Sequence, residues 1–253
     1  MTRTAILSAL AEEQHGLMEL LHRPQKISHA GRVFWLGELH GQRVVLALSR
    51  IGKVAAATTA TALIEKFGVG RIVFTGVAGG LTPGVNVGDV VVATGFVQHD
   101  MDASPIFPRY QAPLYGQSRF GCDTALTTLL FEASHAHLAG VASGFNENPG
   151  AVVRRAHRGL IASGDRFVSA AGESAALRIA LRSAGHEALA VEMEGAAVAQ
   201  VCFDYGVPFA AVRTISDRAD DQAHVDFPKF VNEVASRYAC AIIGQWLELL
   251  SKQ

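Results

Sequence analysis

The stretch that decides the fold runs from 191 to 217, VEMEGAAVAQVCFDYGVPFAAVRTISD. It continues the apolar run Ala188-Leu189-Ala190-Val191, which meets two acids, Glu192 and Glu194. An alanine-rich helix follows, with Ala196, Ala197, Ala199, Val201 and Cys202 at helical spacing, before a turn at Gly206-Val207-Pro208. A second apolar run, Phe209-Ala210-Ala211-Val212, then ends in Arg213-Thr214-Ile215-Ser216-Asp217. Strand, helix and strand of these lengths read as a βαβ unit whose parallel strands are buried on both faces. Ligands in open α/β sheets gather beyond the carboxyl ends of such strands, where Glu194 and Asp217 fall. Taken singly, either acid is no more than a charge favoured near a helix N-terminus, or a cap. Arg213 changes that reading. An Arg inside a buried strand needs a partner or a ligand, because an unpaired buried charge is costly.

The same grammar extends in both directions. Thr4 to Leu10 is an apolar run that passes into Glu12-Glu13 and a helix carrying Leu17, Met18, Leu20 and Leu21. Val33 to Gly37 and Val44 to Leu48 flank His40-Gly41-Gln42 and read as an antiparallel hairpin. Ser49-Arg50-Ile51-Gly52-Lys53 leads into a helix from Val54 to Phe67, stopped by Gly68. Arg71 to Phe74 is a strand running into Thr75-Gly76-Val77-Ala78-Gly79-Gly80, a glycine-rich stretch that lets a ligand approach the backbone and leaves amides free to donate. It lacks the spacing of a dinucleotide fingerprint. Val87 to Ala93 resumes the sheet, and residues 98–121 form the longest irregular stretch, with Phe107, Tyr110 and Tyr115 on it. Such a loop in a compact domain is either a solvated surface loop or a substrate cover or subunit contact, and its aromatics tilt the reading toward the latter. A helix from Thr124 to about Ala136, a loose excursion from Ser143 to Gly150, a strand at Gly159 to Ala162 and a helix from Glu173 to Ala184 follow. Phe230 to Leu250 closes the chain as a long amphipathic helix.

Composition narrows the class. At 253 residues the chain is expected to be a single domain, 1–253, with a mixed, mainly parallel α/β sheet flanked by helices. With 22 basic and 23 acidic residues it has no basic stripe to follow a phosphate backbone, so a nucleic-acid polymer is not an expected partner. No apolar run approaches a membrane span. The N-terminus lacks the apolar core and cleavage site of a signal peptide, and Cys122, Cys202 and Cys240 are widely spaced, so a reduced cytoplasmic setting is expected.

Five segments resemble, in order and spacing, the purine and uridine phosphorylase superfamily, and most closely its 5′-methylthioadenosine/S-adenosylhomocysteine nucleosidases. They are the strand ending in Glu12-Glu13, the segment Ile51 to Ala57, Thr75 to Gly80 with Val87-Gly88-Asp89, Ser163-Gly164-Asp165 with Phe167, and Val191 to Asp217. The resemblance spans about Thr4 to Leu250 and implies hydrolysis of an N-glycosidic bond to release adenine. It implies Asp217 as the acid protonating N7 of the base, steadied by Ser216. It implies Glu13 as the group activating water, with Arg213 beside it, the two charges largely offsetting. Met193 and Glu194 would contact the ribose, Phe167 would stack on the base, and the Val168 backbone would meet the base edge. Ala78 and Gly79 line the site in this reading, Phe227 lies near the sugar, and Ile51 and the long loop approach the 5′-substituent. No metal or organic cofactor is required, and His135 and His137 have no matching acid cluster. A homodimer is implied, with the loop reaching into the neighbouring site.

Two positions depart from the pattern. Val77 stands where many relatives carry a small polar residue, and Arg50 precedes Ile51 where glycine is common. The alternative on the same scaffold is a nucleoside phosphorylase using phosphate as nucleophile. There a glycine-rich N-terminal loop with an arginine cradles phosphate, whereas the equivalent stretch here is Ala11-Glu12-Glu13-Gln14.

Overall fold

Short β-rich runs separated by Ala- and Leu-rich helical segments dictate alternating strands and helices. The computed structural model, which describes residues 2–144 and 154–253, places them as follows. In chain order they are β1 (Thr4–Ser8), α1 (Ala11–Glu19), β2 (His22–His29), β3 (Arg32–Leu39), β4 (Gln42–Leu48), α2 (Lys53–Phe67), β5 (Arg71–Gly80) and β6 (Val90–Gln98). Then come β7 (Arg119–Gly121), α3 (Thr124–Gly144), β8 (Ala156–Ser163), α4 (Ala171–Ser183), β9 (Ala188–Glu192), α5 (Gly195–Tyr205) and β10 (Phe209–Asp217). The chain ends in α6 (Ala223–Phe230), a π-helical turn (Val231–Ala235) and α7 (Ser236–Leu250). The excursion read at Ser143 to Gly150 lies, beyond Gly144, outside the described residues.

One sheet holds all the strands, in the order β10-β6-β8-β9-β5-β1-β4-β3-β2, with β7 added on β6. β1 lies parallel between β4 and β5, and β10 lies parallel to β5. β10 pairs antiparallel with β6, β6 and β9 flank β8 in parallel, and β9 returns antiparallel onto Gly79 and Gly80 of β5. Strands β5, β10, β6, β8 and β9 therefore close into a ring. This corrects the simple βαβ reading of 191–217. β9 and β10 are strands joined by α5, as expected, but β5 stands between them and pairs with them in opposite senses. Two further readings are extended. The strand read from Arg71 to Phe74 continues as β5 through the glycine-rich stretch to Gly80, with nearly every residue buried. The hairpin of β3 and β4 gains a third strand, β2, whose sequence HRPQKISH is almost wholly exposed and carries no apolar alternation.

Helices cover both faces. Small residues on α2 and α5 (Ala56, Ala60, Ala196, Ala199, Cys202) pack one face against Phe74, Val91 and Phe96. On the other face Leu17 of α1, Leu130 of α3 and Ile242 and Trp246 of α7 pack on Ile6, Leu46 and Val73. Gly68 ends α2 in the left-handed conformation with φ 58°, as its position predicts. α3 runs past Ala136 to Gly144, since nothing before Gly140 interrupts its apolar stripe. A strand buried on both faces, as β10 is throughout, has no solvent to receive a charge. Arg213 must therefore find its partner inside.

Candidate active site

The carboxyl ends of β1, β5, β9 and β10 converge on a cavity of about 330 Å³. Ala9, Leu10 and Glu13 bound it from the β1–α1 junction, and Val77, Ala78 and Gly79 from β5. β9 and its extension contribute Val191, Glu192, Met193 and Glu194, and β10 contributes Ser216 and Asp217. Arg166, Phe167 and Val168 follow β8, Ile51 follows β4, and Phe227 comes from α6. Every residue assigned to the site from sequence lines this cavity except Arg213. Phe167 and Ile51 are the open side, 41% and 57% exposed, and Phe167 meets Phe227 edge-on at 5.5 Å between ring centres.

Glu13 is buried and fixed by three amides. Ala9 N and Leu10 N donate to Oε2 at 2.8 and 3.0 Å, and Val77 N donates to Oε1 at 3.1 Å. Burial raises its pKa, while the amides and the charge of Arg213 oppose the rise. The close approach depends on glycine, because a Cβ on Gly76 would stand 3.0 Å from Glu13 Oε1. Asp217, also buried, accepts from Ser216 Oγ at 2.8 Å and from Ala219 N at 2.8 Å. Burial pushes this carboxyl upward against both hydrogen bonds, favouring the protonated acid. Gly79 makes room for it, since a Cβ there would lie 2.9 Å from Asp217 Oδ1.

Glu194 accepts from Gly52 N at 2.8 Å. Burial first, then the neighbouring Glu192, pushes its pKa up to about 8, and the Gly52 amide pulls the other way. Thus, of the four carboxylates that line the cavity, burial disfavours charge on Glu13, Glu194 and Asp217. Perturbed acids gathered in a cleft are the usual mark of acid–base chemistry.

Arg213 sits behind this set. Its Nη2 pairs with Glu192 Oε2 at 2.7 Å, its Nη1 donates to the Phe74 and Val212 carbonyls, and its guanidinium lies 4.1 Å from the Phe74 ring centre. The expectation that Arg213 offsets Glu13 directly is corrected. Its ion-pair partner is Glu192, and it reaches Glu13 only through its field. Glu192 is the residue that sequence reasoning passed over. It accepts from Ser163 Oγ, Gly195 N and Arg213, and so locks the β9–α5 turn from which Glu194 projects. The signal was available, for a buried strand Arg requires an acid and Glu192 is the strand-end acid of the same motif.

Comparisons with known proteins agree with one another. The family model described as the Phosphorylase superfamily matches residues 3–248. A 5′-methylthioadenosine/S-adenosylhomocysteine nucleosidase of Bacillus thuringiensis subsp. konkukian is 36% identical over 233 residues, 92% of this chain and 93% of that protein. The solved structure of a nucleosidase of that name from Neisseria meningitidis, in complex with methylthio-immucillin-A, is 32% identical with a TM-score of 0.84, covering 98% of this chain and 100% of that one. A futalosine hydrolase from Helicobacter pylori is 32% identical with a TM-score of 0.82, covering 98% of each chain.

Proposed function

Because the chain belongs to the phosphorylase superfamily, and within it to the 5′-methylthioadenosine/S-adenosylhomocysteine nucleosidases, we infer that it hydrolyses the N-glycosidic bond of such nucleosides and releases adenine. Breaking that bond builds positive charge on the ribose and negative charge on the purine. Asp217, whose protonated form burial favours, donates to N7 as the leaving group departs. Glu13 takes a proton from the attacking water; its three amide donors fix the carboxylate and leave lone pairs for the water. Glu194 grips the ribose hydroxyls from its anchor on the Gly52 amide. Met193 packs on the sugar with Phe227 near it, Phe167 stacks on the base, and Ile51 flanks the 5′-substituent. Glu192 and Arg213 hold the turn beneath Glu194.

The observation that carries hydrolysis over phosphorolysis is Glu13 itself. Three amides and the field of Arg213 favour the ionised form of Glu13 against its burial, and in that form it repels a phosphate dianion, the more so in low dielectric. The test is product analysis with methylthioadenosine, S-adenosylhomocysteine and a futalosine-type nucleoside, with and without phosphate. Free adenine and the free sugar are expected in phosphate-free buffer. A strict phosphate requirement with a sugar 1-phosphate as product would sink the reading.

The reading takes residues 1–253 as one catalytic unit that works as a homodimer. Ile106 and Leu114 on the long loop are 82% and 90% exposed, with Val54 of α2 and Phe203 of α5 also open to solvent. An apolar surface of that kind suits a second copy of the chain. Among the described residues no helix is long and apolar enough to cross a membrane. The reading places the enzyme, with its three free cysteines, in the reducing cytoplasm.

A further inference from the structure

The start of α2 carries two carboxylates from different parts of the chain on consecutive amides. Gly52 N donates to Glu194, and Lys53 N donates to Asp165 Oδ1 at 2.7 Å. Asp165 is itself tethered. Its own N donates to Asp100 Oδ2 at 2.9 Å, and Asp100 Oδ1 meets Lys53 Nζ at 2.5 Å, so Asp165, Asp100 and Lys53 form a closed ring of polar contacts. Lys53 Nζ also reaches Gln98 Oε1 at 3.0 Å.

The backbone leading into this point is strained. Arg50 has φ 63°, and Gly52 has φ 94° and ψ 157°, a region open essentially to glycine alone. Such a conformation persists only where its surroundings fix it. Gly52 also makes the room, since a Cβ there would stand 3.1 Å from Asp165 Oδ1.

We propose that Asp165 is a positioning residue for the ribose grip: by anchoring the Lys53 amide it keeps the neighbouring Gly52 amide on Glu194. This rests on Glu194 holding the ribose. Asp165 touches neither the base nor the sugar in this role. Its loss lets residues 50–52 relax, and Glu194 loses its donor.

The test compares wild type, Asp165→Ala and Asp165→Asn. Calorimetry measures binding of formycin A, an adenosine analogue whose C-glycosidic bond does not hydrolyse, and of adenine, which has no ribose. Kinetics with methylthioadenosine give kcat and KM across pH. Losing one hydrogen bond should weaken formycin A binding and raise KM about three- to tenfold in Asp165→Ala. Adenine affinity should stay within about twofold, and Asp165→Asn, whose amide oxygen still accepts from Lys53 N, should recover most of the loss. The limb of the pH profile belonging to Glu194 should move to higher pH in Asp165→Ala, because the Gly52 amide favours the ionised form. The other groups acting on Glu194, namely Glu192, Arg213 and Glu13, are untouched by the substitution.

Asp165→Ala binding formycin A as tightly as wild type overturns the proposal, as does an equal loss for adenine and formycin A. Should Asp165→Ala fail to fold, Lys53→Met decides. It keeps the backbone amide but opens the ring, so it should weaken formycin A alone, and unchanged formycin A binding in Lys53→Met overturns the idea. Wild type that binds formycin A but cleaves no nucleoside overturns the proposed reaction while leaving this comparison intact. Wild type that binds neither ligand overturns both.

Discussion

At the scale of single residues, burial sets the chemistry. Asp217→Asn keeps the shape, its amide oxygen still accepting from Ala219 N and its Nδ2 now donating to Ser216 Oγ, but cannot donate the proton. It should lower kcat about 10²- to 10⁴-fold with ligand affinity nearly unchanged, measured by steady-state kinetics and calorimetry. Glu13→Gln should lose most hydrolysis without gaining phosphate dependence, read by product chromatography. Glu194 supplies a stability test. Its folded pKa of about 8 lies above the ordinary value of 4.5, so the folded state holds the proton more tightly than the unfolded state. The contribution of Glu194 to stability is then fully present below pH 4.5 and is lost as pH rises through about 8. Glu194→Gln should raise Tm relative to wild type at pH 9 and leave it nearly unchanged at pH 5, while weakening riboside binding. A scanning calorimetry difference of the opposite sign would refute the burial argument. At this scale the sequence was most legible, because Glu13, Glu194 and Asp217 each sit at a strand end within a motif of their own. Glu192 was visible as a strand-end acid, but its role was not, since that role is to satisfy Arg213 and the pairing crosses from β9 to β10.

At the scale of elements, β5 does two things at once. It is a buried strand, and its glycines are the clearance for two acids on opposite sides of the reaction. Gly76→Ala should push Glu13 aside and Gly79→Ala should push Asp217 aside, each costing roughly tenfold to a hundredfold in kcat with the fold retained by circular dichroism. Unchanged kinetics in both would show the acids have room to spare. Glycine density was visible in the sequence, but its meaning was not. Glycines weaken a strand's own propensity, and here pairing with β1, β9 and β10 overrides that weakness. β2 was missed for the converse reason. It is an exposed strand with no buried face, so it leaves no apolar alternation to read.

At the scale of the molecule, the class of fold followed from alternating elements, but the pairing of β5 with both β9 and β10 joins residues more than a hundred positions apart. No local pattern encodes that. The exposed apolar residues of the loop and of α5 make a prediction at the same scale. The protein should sediment as a dimer, and Leu114→Asp with Phe203→Asp should yield monomer and lower activity several-fold; a fully active monomer in light scattering would remove the dimer from the mechanism. The strand ring acts on a different axis, time. A ring whose members all have two neighbours cannot fray from one side, so the amides of β5, β8, β9 and β10 should exchange for deuterium only through global opening. Those of β2, with one neighbour and an exposed face, should exchange orders of magnitude faster. Because Asp217 and the Glu192–Glu194 turn hang from the slow set, heat or denaturant should extinguish turnover and ring protection together, with no long-lived folded but inactive form between them.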